Sequence, residues 1–222
     1  MMKKRGLIIG DYDTVVTGQW LLTSLELSPA QQVTNYVNIP GRRRGPLDMS
    51  TALTDGDPVY GSRTLTAMFE CSEGTREERE ARIQTMINWL DGWRLNIKLP
   101  DDTMHYITGR VHVERLYNDL AHASVRVTAV CEPWRYNNDE TEVVLIATST
   151  PKTATLPNLG RLAVVPLLAV TGGEVLLQAA GLSWALSVGT YALPDLLLTT
   201  GGKVVTYSGA GTLTFTYREA LL

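Results

Sequence analysis

Along residues 63–71 the side chains alternate. Leu65, Ala67, Phe69 and Cys71 are apolar, and Thr64, Thr66 and Glu70 between them are polar, with Met68 the one exception. Residues 125–131 repeat the pattern with Val125, Val127, Ala129 and Cys131. Successive side chains of a strand point to opposite faces, so this period-two pattern demands half-buried β-strands and argues against amphipathic helices. Residues 17–27 and 33–39 read as further strands, ended by Ser28-Pro29 and Pro40-Gly41. The fold class that follows is mainly β.

One segment departs from that period. Residues 75–90 read as a single amphipathic helix, with Ile83, Met86, Ile87 and Leu90 at helical spacing on one face. Thr75 and Glu78 have the spacing of a capping box, and Gly92 follows where a C-terminal cap belongs. Arg76, Glu77, Glu78, Arg79, Glu80 and Arg82 read as a solvated face. A helix this short is marginal alone, so it must lie against a sheet.

Two hairpins follow. Residues 95–99 and 104–108 flank a turn at Pro100-Asp101-Asp102-Thr103. In the second hairpin, a loop at Asn118, Asp119 and Leu120 sets Val113 opposite Val125 and Val111 opposite Val127, and Arg110, His112 and Glu114 share the other face. A polar break after Pro133 and a Thr/Pro/Ser-rich stretch to residue 160 divide the chain. The expected organisation is a first domain over 1–136, a linker and strand over 137–160, and a small β-sandwich over 161–222. Short strands near 174–179, 182–188, 196–199, 203–207 and 212–217, separated by Gly or Pro, support the sandwich.

Composition narrows the function. The formal net charge is -3, so a general nucleic-acid binder, which needs a basic excess, is disfavoured. No run approaches the roughly 18 apolar residues of a membrane span, and the basic start at residues 1–5 lacks a signal-peptide core. Neither membrane insertion nor a targeting segment is expected. Two cysteines, Cys71 and Cys131, both on faces that read as buried, behave as small hydrophobes.

Catalytic chemistry is sparse. His105, His112 and His122 lack metal-ligand spacing, and no catalytic, cofactor or metal residue can be nominated. Asp55 with Asp57, and Asp101-Asp102, sit in turns, where Asp bonds nearby backbone. Gly172-Gly173 and Gly201-Gly202 lack the Lys and Ser/Thr of a phosphate loop. Arg42, Arg43 and Arg44, between Gly41 and Gly45, are the exception: a tight basic turn that could touch nucleic acid, an acidic protein patch or only water.

In order, the chain carries a strand ending in Ile39-Pro40-Gly41, then Gly45-Pro46-Leu47-Asp48-Met49-Ser50, then Tyr60 and Arg63 leading a strand. The helix, Gly109-Arg110-Val111 and Cys131-Glu132-Pro133-Trp134-Arg135-Tyr136 follow. This order resembles the distal tail protein family of long, non-contractile-tailed bacteriophages and prophages. Asn158-Leu159-Gly160-Arg161, Gly209-Ala210-Gly211 and Tyr217-Arg218 extend the likeness into the second unit. The resemblance implies an N-terminal tail-tube-like β-barrel or sandwich with one helix, then a galectin-like β-sandwich. It implies a non-enzymatic virion protein at the tail tip, made in the host cytoplasm, forming a hexameric ring with itself. Its other expected partners are the tail tube protein and a baseplate hub protein, with phage DNA passing through the lumen. Arg42, Arg43 and Arg44 would then face the lumen or a partner. A carbohydrate-binding tail-tip module is the alternative, with Trp184 and Tyr191 as sugar-stacking candidates.

Overall fold

The computed structural model describes residues 6–41, 44–54 and 56–222. The chain divides into two compact units, Met1–Pro133 and Trp134–Leu222. In the first, β1 (Ile8–Ile9), β2 (Tyr12–Asp13) and β3 (Leu21–Leu27) precede a small hairpin of β4 (Tyr36–Val37) and β5 (Leu47–Asp48). Then come β6 (Arg63–Cys71), α1 (Arg76–Leu90), β7 (Arg94–Leu99), β8 (Asp102–Asn118) and β9 (Ala123–Asn137). The main sheet has the order β2-β1-β7-β8-β9-β6-β3.

The alternating segments form the centre of this sheet. Leu65 pairs with Ala129, Ala67 with Val127 and Phe69 with Val125. All six are at most 1% exposed, and Ile83, Met86 and Leu90 of α1 close over the same core, with Tyr12 and Trp20. Burying such a face is what holds both helix and sheet, at roughly 25 cal/mol per Å² of apolar surface.

The helix begins as its sequence dictates. Thr75 Oγ1 accepts the Glu78 N–H at 3.2 Å, and Glu78 Oε2 accepts the Thr75 N–H at 2.8 Å. At the other end the Asp91 N–H donates to Ile87 O, and the Gly92 N–H bonds to Val111 O, tying the helix exit to β8. Arg79, expected on the solvated face, is instead only 2% exposed. Its guanidinium donates to Gly74 O at 2.6 Å, Asp119 O at 2.8 Å and Leu120 O at 3.2 Å. It pins the first helical turn to the β8–β9 turn, because those carbonyls have no strand partner to accept from.

The β8–β9 turn closes differently from the expected loop: the Asp119 N–H donates to His122 O at 3.0 Å, so Leu120 and Ala121 form its tip. Glu114 bonds Arg126 at 2.8 Å, and a Cβ on Gly109 would lie 2.6 Å from Cys131 Sγ and 3.0 Å from Val130 O. Gly109 therefore faces Cys131, and only glycine fits there.

Strands fill the second unit. They are β10 (Thr141–Ile146), β11 (Lys152–Leu156), β12 (Leu167–Thr171), β13 (Val175–Ala179), β14 (Leu182–Leu186), β15 (Gly189–Ala192), β16 (Lys203–Gly209), β17 (Thr212–Tyr217) and β18 (Ala220–Leu221). Two four-stranded sheets, β10-β17-β12-β15 and β11-β16-β13-β14, share one apolar core that includes Leu168, Leu213 and Phe215 from the first and Leu156, Leu177 and Val205 from the second. The stretch 137–160, read in sequence as linker and strand, supplies β10 and β11, an edge strand to each sheet. Leu198, in the stretch 196–199 expected as a strand, forms only an isolated bridge with Val164. The end of β9 pairs here too, Tyr136 with Ala220 and Arg135 with Leu221.

No helix among the described residues is long and apolar enough to cross a membrane. Cys71 and Cys131 are free and buried. Cys71 pairs with Ala123 and Cys131 with Arg63, so the thiols stand eight register positions apart, roughly 26 Å.

Candidate assembly surface

The titratable side chains do structural work. His105 Nδ1 lies 2.7 Å from Asp102 Oδ1, and His112 Nδ1 lies 2.8 Å from Asp91 Oδ1, which also accepts the Val113 N–H. His122 stands 3.6 Å from Asp119 and edge-on to Tyr117. Among the described residues no group of three or more His, Cys, Asp or Glu side chains could hold a metal ion. Burial pushes the Cys131 thiol up to about 11, only partly offset by Arg63, so it is a packing group and not a nucleophile.

The residues that carry the resemblance in the second unit are also structural. Asn158 is fully buried; its Nδ2 donates to Leu198 O at 2.8 Å and Leu162 O at 3.0 Å, and its Oδ1 accepts the Gly160 N–H. Gly160 lies so close to Ala220 that a Cβ would sit 2.7 Å from its carbonyl oxygen. Trp184 and Tyr191 are on different sheets. Trp184 pairs with buried Leu177, and Tyr191 with buried Leu168, so both take the core-facing phase of their strands. Tyr191 OH donates to Ser187 O at 2.9 Å. The two rings do not form one surface.

The unusual surface lies between β3 and β6. Residues 28–62 leave the sheet at one edge and return to it as a long hairpin arm. The Gly61 N–H donates to Gln31 O and the Val33 N–H to Val59 O; further out Tyr36 pairs with Asp48 and Val37 with Leu47. The Asn35 N–H donates to Ser50 Oγ at 2.8 Å. Asp48 accepts from the hydroxyl and the N–H of Ser50, which holds its carboxyl below the usual range. None of the described residues of 28–62 is buried, although Val33, Tyr36, Val37, Ile39, Met49, Leu53 and Val59 are large and apolar. At the tip Arg44 is exposed in a turn; Arg42 and Arg43 lie outside the described residues. The sequence held a signal for the arm: four prolines, Pro29, Pro40, Pro46 and Pro58, interrupt a span between two core strands.

An isolated two-stranded ribbon is marginal in water, since it has no second layer against which to bury side chains. The arm keeps its large apolar residues on show all the same. The strand it springs from, β3, ends the main sheet and has β6 as its one strand partner among the described residues. Such an edge is a template for another chain.

The solved structure of the SPP1 Dit (gp 19.1) protein, described as a paradigm of the hub adsorption apparatus in Gram-positive infecting phages, superposes on this chain with a TM-score of 0.67. The match covers 97% of this chain and 99% of SPP1 Dit, at 13% identity. The chain has the fold of SPP1 Dit. No protein-family model and no curated protein sequence matches it. At that identity the likeness speaks for the fold alone.

Proposed function

We propose that this chain is a structural component of a phage tail tip, in which copies of it close into a hexameric ring. The ring joins the tail tube protein to a baseplate hub protein and lets DNA pass through its lumen. It is made in the bacterial host cytoplasm and ends in the virion, and it performs no reaction of its own. The observation that carries the reading is the arm, an apolar hairpin that no core of its own chain covers. Its exposure is accounted for when a neighbouring copy buries it. The free edge at β3 fits the same account, because a head-to-tail contact between unlike surfaces closes into a ring when the rotation is right.

Mass measurement at micromolar concentration, with negative-stain imaging, tests this. Sixfold annular particles are the expected result. A protein that stays monomeric alone and with tube and hub proteins overturns the reading. The sugar-binding alternative gains nothing from Trp184 and Tyr191, which face the core.

A further inference from the structure

Of the five tryptophans, Trp20 is fully buried and Trp134 and Trp184 are partly covered, but Trp89 and Trp93 stand 54% and 63% exposed. Trp89 lies in the last turn of α1, next to buried Leu90. Its ring centroid is 6.2 Å from that of Tyr12 on β2, at 49°, so one side of the indole is backed by the sheet. Trp93 immediately precedes β7. Its N–H donates to Leu90 O, and its carbonyl accepts the Val111 N–H at 2.9 Å, which fixes it between the helix end and β8. On its other side β7 pairs with β1, and the Gly10 N–H donates to Asn96 O at 2.7 Å, which lays the β1–β2 turn alongside. Both indoles therefore stand at one corner of the first unit, where α1 ends, β7 begins and β1 turns into β2.

Area and chemistry decide what fits that corner. At those exposures the two indoles present roughly 300 Å². A stable protein interface takes about 800 Å² on each side, with a continuous apolar centre. Here the exposed neighbours are polar: Thr85 one helical turn before Trp89, then Asn88, and Asp11 in the β1–β2 turn. The charges at the helix exit are already matched, Asp91 with His112 and Arg94 with Glu132, so nothing selects a strongly charged ligand. A pyranose ring meets these conditions. Its C–H face packs on the π face of an indole, while hydroxyls around its rim bond to polar side chains. We propose that Trp89 and Trp93 form a stacking ledge for a neutral saccharide, with Asn88 and Asp11 taking its hydroxyl groups. The ledge belongs to a single subunit and does not depend on ring closure. A ring would repeat it, and repetition turns a weak single-site affinity into adhesion. The site is remote from Trp184 and Tyr191 in sequence and lies in the other unit.

Tryptophan emission of the full chain tests this, since Trp89 and Trp93 are the indoles most open to solvent. The probes are maltotriose, cellotriose and chitotriose, with trigalacturonic acid as the charged control. At least one neutral trisaccharide should give a saturable blue shift and protect the emission from acrylamide quenching, with a dissociation constant of about 1 mM. Calorimetry with the same sugar should show Trp89→Ala and Trp93→Ala each weakening binding about tenfold. Trp93→Phe, which keeps an aromatic face, should recover part of the loss. Both indoles are more exposed than buried, so the variants keep the fold, and an unchanged unfolding midpoint verifies it. No saturable response to any neutral trisaccharide overturns the inference. Binding that survives in the Trp89→Ala/Trp93→Ala double variant overturns the site, and binding of the charged control alone overturns the ligand class. If the parent binds no sugar and the double variant loses its contact with tube or hub protein, the ledge is a protein contact. The inference then falls while the ring reading stands.

Discussion

The body of the first unit and its arm are built from neighbouring stretches of one chain, yet they obey opposite rules. In β6 every second residue from Arg63 to Cys71 is buried, each apolar group opposite another on β9. In the arm none of the described residues is buried and apolar groups face water on both strands. The difference separates a face that holds the subunit together from one that is left open to solvent. The body buries its apolar groups almost completely, and the arm's, 38–99% exposed, gain correspondingly less from burial.

Variants can break or sharpen that contrast. Phe69→Ala, in the fully buried centre, should cost about 3–5 kcal/mol in denaturant unfolding, as large-to-small core changes do. A loss under 1 kcal/mol would mean that the body is packed no better than the arm. Arg79→Ala should cost about 2–3 kcal/mol, because three carbonyls lose a buried charged donor. Arg79→Lys should recover only part of it, since an ammonium lacks the planar fork that reaches all three. Thr75→Ala removes half of the capping box and should lower stability by about 1 kcal/mol, with Thr75→Ser restoring it. Leu53→Ser, at 99% exposure on the arm, should leave the unfolding midpoint of the isolated subunit within about 0.5 kcal/mol. A clear destabilisation there would show that the arm packs on its own body.

The smallest effect concerns acid. Asp119 Oδ1 accepts the His122 and Ala121 N–H groups, each at 2.8 Å, and these bonds hold its carboxyl below the ordinary value. A folded-state value below the unfolded one stabilises fully above about pH 4. That contribution fades as pH falls through the lowered folded value. The protection of the Ala121 and His122 amides, relative to their intrinsic exchange at each pH, should therefore hold at pH 5 and fall at lower pH while that of core amides holds.

What the sequence makes legible follows from which contacts are local. The alternation of β6 and β17 can be read directly because each strand lies with one face on a core, and both strands span the residues that their patterns mark. The helix start is written in Thr75 and Glu78, three residues apart. β11 is hidden, since Lys152–Leu156 reads Lys-Thr-Ala-Thr-Leu and only Ala154 and Leu156 turn inward. β12 is hidden by its apolar approach, where Pro166 breaks a continuous run and masks the alternation of Leu168 and Val170. Arg79 looked like a surface charge because its acceptors, Asp119 and Leu120, are about forty residues away. The arm was read as a strand over 33–39, but pairing narrows to Tyr36–Val37, since the prolines and glycines around it interrupt the ladder.

The placement of the two cysteines has a practical side. They are the only ones in the chain, both are sealed in the first core, and they sit too far apart to join. The fold is therefore indifferent to the redox state of its surroundings. A single cysteine placed at the arm tip becomes the one thiol open to a label, so a fluorophore there would report whether the arm is wet or covered as copies meet.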